Sequence, residues 1–544
     1  IKGTNIVTYD DINNCSIAND QILNSKTEIN DDAILTPIFD LGTTRENVKP
    51  TPILHFLQRE QLPVNEGSAS HAYLQAQDLP EVESGQLTSN TFNVLPISKA
   101  IIGKQFAPEV PLVRNQVSND SKETIFTLVK RYSKKQKRRA PKTTKLNTGL
   151  LVRGLCKALY GNDHSISRLK RDMRTTEDER REAYAEYLQR LDKKLVEGEG
   201  GVAARELKDI FNEYDETLKF INKRQGKYDA EDGFDAKHKA GQGVAAFSKR
   251  VNLLFAAYAD LMLQKMKAII KSNNRPIIIA THGSDEDISK QYAELRSRFD
   301  HKPCHENDFS EWDASFADFM IGVTDFLLEH MGCPIWVRTW FFEYRKSWIM
   351  IHRTRMGSTT LKNFNKQFSG SPFTIAENTI LNMSFIFALF EFAGLALSIF
   401  KGDDSANMAD KCQMTSDGAK LLSSSGHKLK LHHSNTGEFA GFMLTKSGMF
   451  PDLPRKCAKF LGKIYRNEKH FNEAKLSAFA STEVVKSQAE LEEGCLYTAL
   501  HYQDTKGRPS YTVEEIKAMY HFLIACNKYN FNDLKDVSKP VLSQ

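Results

Sequence analysis

Two adjacent carboxylates, Asp403 and Asp404, follow Gly402 between the apolar run Leu395–Phe400 and a second strand-like run, Ser405–Met408. Side-by-side acids repel, so a protein that gathers such a pair needs a cation or a shared proton. Alone the tripeptide says little. It arises by chance in roughly one chain in ten of this length, and Gly and Asp are ordinary hairpin-turn residues. Its meaning depends on upstream partners. The first is Glu306-Asn307-Asp308-Phe309-Ser310-Glu311-Trp312-Asp313, after which Phe316, Phe319, Met320, Val323, Phe326 and Leu327 recur at helical spacing until Gly332 and Pro334. Asp308 therefore falls near a strand end and Asp313 just before a helix. A carboxylate at such a junction can face a cleft while the elements behind it stay packed; capping is a compatible second use for Asp313. The second partner is Ser369-Gly370-Ser371-Pro372-Phe373-Thr374, continuing through Asn378 and Thr379 to Asn382. Ser371 suits an N-cap and Pro372 the first helical position. Thr374, Asn378 and Asn382, spaced i, i+4, i+8, draw a polar stripe along an otherwise apolar helix. Buried amides must be hydrogen-bonded, so the stripe implies a ligand or a polar network beside it.

The rest of the chain must hold these groups in place. Its 544 residues suffice for several subdomains, and 40% hydrophobic content suffices for cores, which excludes a disordered chain. Eight scattered cysteines without a C-x-x-C argue against structural zinc or a disulfide framework and favour a reducing compartment. The net charge is only +6, yet Lys130, Arg131, Lys134, Lys135, Lys137, Arg138, Arg139 and Lys142 form one basic block. It suits phosphate contact and, equally, a solvated loop or a nuclear-import-like patch. The chain starts with Ile1 and shows no signal peptide, as expected of a piece of something longer. Met383–Phe400 is broken by Glu391 and Gly394, which favours a buried helix running into a buried strand over a membrane span. Residues 1–115 are polar and weakly periodic, an extension or linker. From about 145 to 230 the pattern is charged and helical, with Tyr184, Tyr187, Leu188 and Leu191 as a core stripe. The chemistry concentrates between about 235 and 465, and an amphipathic helical tail follows.

Taken in order, D-x4-D, S-G-x3-T-x3-N-T-x2-N and G-D-D resemble motifs A, B and C of viral RNA-dependent RNA polymerases. The middle pattern fixes six positions, which chance matches in roughly one such chain in a hundred thousand. Lys239-Ala-Gly241-Gln242-Gly243 through Ser248-Lys249, Phe400-Lys401-Gly402-Asp403-Asp404-Ser405 and Leu429-Lys430-Leu431 narrow the likeness to the alphavirus-like superfamily. So do Phe439-Ala-Gly441-Phe442, Pro451-Asp452 and Lys459-Phe-Leu-Gly462-Lys463. Within that superfamily they are most similar to the hepevirus, benyvirus and tetravirus branch. The likeness covers about residues 120–465 well and both ends poorly.

The resemblance implies an α+β right-hand polymerase: fingers, a ferredoxin-like palm with an antiparallel sheet, and a helical thumb. The expected divisions are an N-terminal extension over 1–115 and helix-rich fingers over 116–300, with motif F near 237–250. The palm would take 301–455, with a fingers insertion about 341–368, and the thumb 456–544. The implied reaction is RNA-templated RNA synthesis from NTPs, releasing pyrophosphate, with two Mg2+ or Mn2+ ions as cofactors. By the same resemblance Asp308 and Asp403 would bridge the metals, with Asp404 in support and the Phe309 carbonyl as an extra ligand. Asn378 and Asp313 would read the ribose 2′-hydroxyl, with Thr374, Ser369 and Gly370 in the same motif. Lys239 and Lys249 would bind the triphosphate, and Lys430 would act as general acid on the leaving pyrophosphate. Arg345, Lys346, Arg353 and Arg355 would contact template phosphate. Expected partners are template and nascent RNA and the capping-enzyme and helicase domains of a replication polyprotein. The expected location is the host cytoplasm, in replication complexes whose membrane attachment comes from other components. A reverse transcriptase or terminal nucleotidyltransferase on the same palm is the alternative enzyme, and a catalytically silent RNA-binding scaffold the alternative from another class.

Overall fold

The computed structural model describes residues 141–525 except 197–216, 223–224, 229–242, 248, 282, 297–301, 311, 347, 355–356, 364–368, 462–467 and 505–509. It also describes three short strands, Ile6–Val7, Thr91–Asn93 and Val113–Gln116.

The element that carries the acids is a five-stranded sheet. Its strands are β1 (Ile277–Ile279), β2 (Cys304–Phe309), β3 (Leu397–Lys401), β4 (Asp404–Met408) and β5 (Leu429–Ser434). Their order is β5-β2-β4-β3-β1. β2 to β5 pair antiparallel, with a helix between β2 and β3 and another between β4 and β5, which is the ferredoxin-like βαββαβ arrangement. β1 adds a parallel edge against β3. The sheet is therefore mixed rather than antiparallel throughout, and it begins near 277, upstream of the expected 301. Three consecutive isoleucines explain the extra strand: β-branched residues fit a pleated surface, and all three are buried.

The period of two decides what each face touches. Phe309 and Phe400 point into the main helical core, whereas Cys304, Leu397, Ile399, Ala406 and Met408 point into a second core on the other face. Along β2 and β4 that second face thus runs Cys304, Glu306, Asp308 and Met408, Ala406, Asp404. It is apolar at one end and acidic at the other.

Behind the sheet lie α1 (Pro141–Tyr160), α2 (Lys249–Ser272), α3 (Asp318–His330), α4 (Ile335–Lys346), α5 (Thr374–Leu389) and α6 (Ser416–Ser425). α5 is central, with thirteen of its sixteen residues buried. α1 crosses it so closely that a Cβ at Gly154 would overlap the Ser384 carbonyl oxygen. The expected buried helix leading into a buried strand is borne out by α5 and β3, and no described helix is long and apolar enough to cross a membrane.

The expectation of helix up to residue 230 fails at its end. Thr217–Asn222 is a strand, with Leu218 and Phe220 buried and Ile221 half exposed, a period-two pattern that charge density in the flanking sequence obscures. It joins Gly243–Ala246, Trp348–Thr354 and Gly357–Asn363 in a separate sheet, to which Ile6–Val7 adds a parallel edge. Val113–Gln116 pairs with Gln225–Tyr228, so parts of the expected N-terminal extension contribute strands.

After the palm, the meander Gly437–Phe439, Phe442–Leu444 and Met449–Pro451 leads into α7 (Leu453–Leu461), α8 (Glu468–Ala480), α9 (Gln488–Asp504) and α10 (Val513–Ala525). These helices share a core of their own with Met443 and Phe450.

Candidate active site

Gly402 has φ +63°, the left-handed region where a side chain is strained, and it turns β3 into β4. Both of its backbone polar groups are held by α5. Its N–H donates to Thr379 Oγ1 at 2.9 Å, and its carbonyl accepts from Asn382 Nδ2 at 3.2 Å. Asn382 Oδ1 accepts from Ser405 Oγ at 3.4 Å. Thr379 and Asn382 are fully buried, so these bonds are made without competition from water. Of the polar stripe read from the sequence, Thr374 bonds the Ser371 carbonyl, while Asn382 helps latch the Gly-Asp-Asp turn. Thr379, off the i, i+4 line and given no role there, makes the shortest bond to it.

Register puts two of the acids, Asp308 and Asp404, side by side. Asp308 on β2 lies directly across from Lys430 on β5, with Lys430 Nζ 4.0 Å from Asp308 Oδ2. On the other side Ser405 pairs with Asn307, so the next rung sets Asp404 beside Asp308. Asp403 occupies the exposed turn. The side chains of Asp308 and Lys430 are 72% and 76% exposed, open for further contacts. The Asp404 carboxyl is pushed up to about 6, first by desolvation and then by Asp403, with Asp308 and Glu438 adding to the rise and Arg455 opposing it. Desolvation and the neighbouring acids together disfavour a free negative charge here, and a shared cation or proton would relieve it.

Among the described residues no group of three or more His, Cys, Asp or Glu side chains is gathered so as to hold a metal ion. An open row of carboxylates nevertheless fits the hard-oxygen chemistry of magnesium or manganese, since magnesium commonly takes only one or two carboxylates and completes its shell with water and phosphate oxygens. Phe309, whose carbonyl was the expected extra ligand, is buried with its ring against Trp312 and Phe385, at centroid distances of 4.8 and 5.5 Å.

Ser369 and Gly370 lie against the strand Gly243–Ala246. Ala245 N–H donates to the Ser369 carbonyl at 2.8 Å, and a Cβ on Gly370, where φ is +110°, would overlap the Ala245 carbonyl oxygen. The start of motif B and the end of the motif F segment are therefore brought together. The helix itself begins at Thr374 rather than Pro372. Ser371 and Pro372 stay in a turn, with the Thr374 N–H and Oγ1 both donating to the Ser371 carbonyl at 3.0 Å. Asn378 is buried. Lys239, Arg355 and most of the basic block lie outside the described residues. Asp313 falls in the short helix Trp312–Ser315 and Lys249 opens α2, but their side chains, with those of Lys346 and Arg353, are not described.

The expected template contact at Arg345 is corrected. Its side chain is fully buried and pairs with Glu377 at 2.8 Å, with its guanidinium 4.7 Å from the Phe316 ring centroid. The cationic character of the segment suggested surface, yet α4 turns this position inward.

A second polar cluster, which the sequence did not announce, ties the palm to the helices after it. Glu306 Oε1 accepts from the Glu438 N–H at 2.7 Å, and Arg455 Nη1 donates to Glu438 Oε1 at 2.8 Å. Asp452 Oδ1 accepts from the Arg455 N–H at 3.1 Å and from the Tyr502 hydroxyl at 2.8 Å. Burial, with Glu438 nearby, raises the Asp452 carboxyl. Glu306 and Asp452 lie in stretches already singled out, but no spacing joins them to Glu438, Arg455 or Tyr502, so only the folded contacts reveal the cluster.

Residues 118–522 match the family model described as RNA dependent RNA polymerase. The chain belongs to the RNA-dependent RNA polymerase family. Among curated proteins it is 29% identical over 262 residues to the non-structural polyprotein pORF1 of hepatitis E virus genotype 3 (a swine isolate from the United States), covering 48% of this chain. It is 28% identical over 270 residues to the genotype 1 polyprotein from Burma, covering 49%. The hepevirus side of the resemblance read from the motifs is thereby borne out. The aligned segment is about 15% of those polyproteins' length. Among solved structures, the polymerase of a human picorbirnavirus aligns in an insertion-loop deletion form at TM-score 0.37 and 14% identity, over 60% of this chain and 59% of that one.

Proposed function

We propose that this chain performs RNA-templated RNA synthesis by two-metal nucleotidyl transfer from NTPs, in the replication of a positive-strand RNA virus. The observation that carries the reading is the latched turn: both backbone polar groups of Gly402 are held by α5, which presents Asp404 beside Asp308 with Asp403 at the adjoining turn. Divalent cations bound by Asp308, Asp403 and Asp404 would supply charge neutralisation for the attacking hydroxyl and the leaving pyrophosphate. The chain's own residues supply position. Preorganised groups aimed at developing charge need no reorganisation during reaction, and a turn whose backbone groups are bonded to a buried helix meets that need.

Lys430, which pairs across from Asp308, is assigned the role of general acid on the leaving pyrophosphate. Asn378 and Asp313 are assigned to the ribose 2′-hydroxyl, a donor and acceptor that distinguishes RNA from DNA precursors. Lys239 and Lys249 are assigned to the triphosphate. We place the protein in the host cytoplasm, in replication complexes with the other domains of its polyprotein. Primer extension by the purified chain on an RNA template, with magnesium or manganese, tests the reading. Incorporation of ribonucleotides supports it. Incorporation of deoxyribonucleotides alone would replace it with reverse transcription, and no incorporation of either would favour a silent scaffold.

A further inference from the structure

The buried pair Arg345–Glu377 has no place in the chemistry above, although it sits one residue from Asn378. Glu377 Oε1 accepts from Arg345 Nη1 on α4 and from Thr324 Oγ1 on α3, both at 2.8 Å. Both members of the ion pair have side chains with 0% exposure. The guanidinium also lies 4.7 Å from the Phe316 ring centroid and 5.4 Å from that of Phe341. Removing two charges from water is costly, and replacing a buried pair with apolar residues of similar volume is often neutral or stabilising. Stability is therefore a poor explanation for it. Geometry offers a better one.

α5 is buried nearly all round, and its apolar contacts are non-directional, so they fix its rotation and its axial position only loosely. Directional contacts must do that. On one side Thr379 and Asn382 hold the Gly402 turn. Glu377 lies roughly 140–160° around the helix from those two residues, at 100° per residue. Asn378 sits between the two sets of contacts. Its aim is therefore set by the turn on one side and by Arg345 on the other. Arg345 belongs to the last turn of α4, which leads directly into the strand pair 348–354 and 357–363 of the insertion between motifs A and B.

We infer that Arg345 and Glu377 are positioning residues that couple the fingers insertion to the motif B helix and thereby set ribose discrimination. This rests on the polymerase reading, in which Asn378 faces the ribose. The test compares wild type, Glu377→Gln and the apolar double variant R345M/E377L. Each is measured for the kcat/KM of NTP over dNTP incorporation on an RNA template, alongside a thermal melt. Displacements of about 1 Å at a reacting centre can change rates about a hundredfold. The expected result is a loss of discrimination of at least about tenfold in a variant that still melts cooperatively, most clearly in the double variant, which leaves no unpaired buried charge. A folded variant with wild-type discrimination overturns the inference while leaving the polymerase reading intact. Failure of both variants to fold assigns the pair to stability and overturns it too. Absence of NTP incorporation by wild type is a separate outcome: it removes the polymerase reading first, and the inference with it.

Discussion

Replacing Thr379 with Val tests the latch between α5 and the acidic turn most sharply. The two side chains have nearly the same volume, so packing around this fully buried position is kept while one polar atom is lost. That atom accepts the Gly402 N–H at 2.9 Å and donates to the Ile375 carbonyl at 2.6 Å. After the change the Gly402 N–H is buried without its acceptor, which costs about 1–3 kcal/mol. For a domain of palm size, each kcal/mol corresponds to about 2–4 °C in melting temperature. The turn also loses one of its two backbone anchors, so extension should fall by about ten- to a hundredfold as Asp403 and Asp404 shift. Thr379→Ser keeps the oxygen and removes one methyl, costing about 0.8 kcal/mol, and should retain most activity. Thermal melts and single-nucleotide extension on all three proteins provide the comparison. A Val variant that melts and extends like wild type, or a Ser variant as impaired as Val, refutes the latch.

Gly402→Ala should destabilise by about 1–2 kcal/mol through the left-handed backbone alone, since the nearest atom to a new Cβ is Ile375 Cδ1 at 3.7 Å; equilibrium denaturation reads this. For Asp404, whose folded carboxyl lies near 6 against 3.8 when free, the folded state keeps a proton that the unfolded state releases. In chelator, this group should thus lower wild-type stability as pH rises from about 4 to 6, and Asp404→Asn should reduce that fall, leaving the part that the raised Asp452 contributes. A pH-independent wild-type melting temperature across that window would contradict the shift. Tyr502→Phe removes the hydroxyl that donates to Asp452 and should cost about 1–3 kcal/mol, visible in a melt and in hydrogen exchange of α9.

Much of this site was legible in the sequence because its parts are local. A glycine before two acids must turn, and an i, i+4, i+8 polar stripe on an apolar helix must meet a polar partner. The motifs follow from such short-range patterns, and the ferredoxin-like palm was expected through the family resemblance that the motifs carry. What escaped is long-range. Arg345 looked like surface because arginines usually are, and only Glu377, thirty-two positions later, brings it inside. The strand Thr217–Asn222 carries a period-two pattern too brief to stand against the charged helices before it. The edge strand Ile277–Ile279 needed its pairing with β3 to be assigned to the palm. Glu306, Glu438, Asp452 and Tyr502 form one network from four separate stretches, and no spacing rule connects them.

We propose that the acids at the latched turn serve templated RNA synthesis rather than support the fold. Asp403 stands in an exposed turn, so its carboxylate is dispensable for packing. The direct measurement is RNA-primed, RNA-templated extension by wild type and Asp403→Ala at matched melting temperature. Wild type should extend with ribonucleotides, and a fully folded Asp403→Ala should show no extension above background. Extension by that variant at the wild-type rate would contradict it.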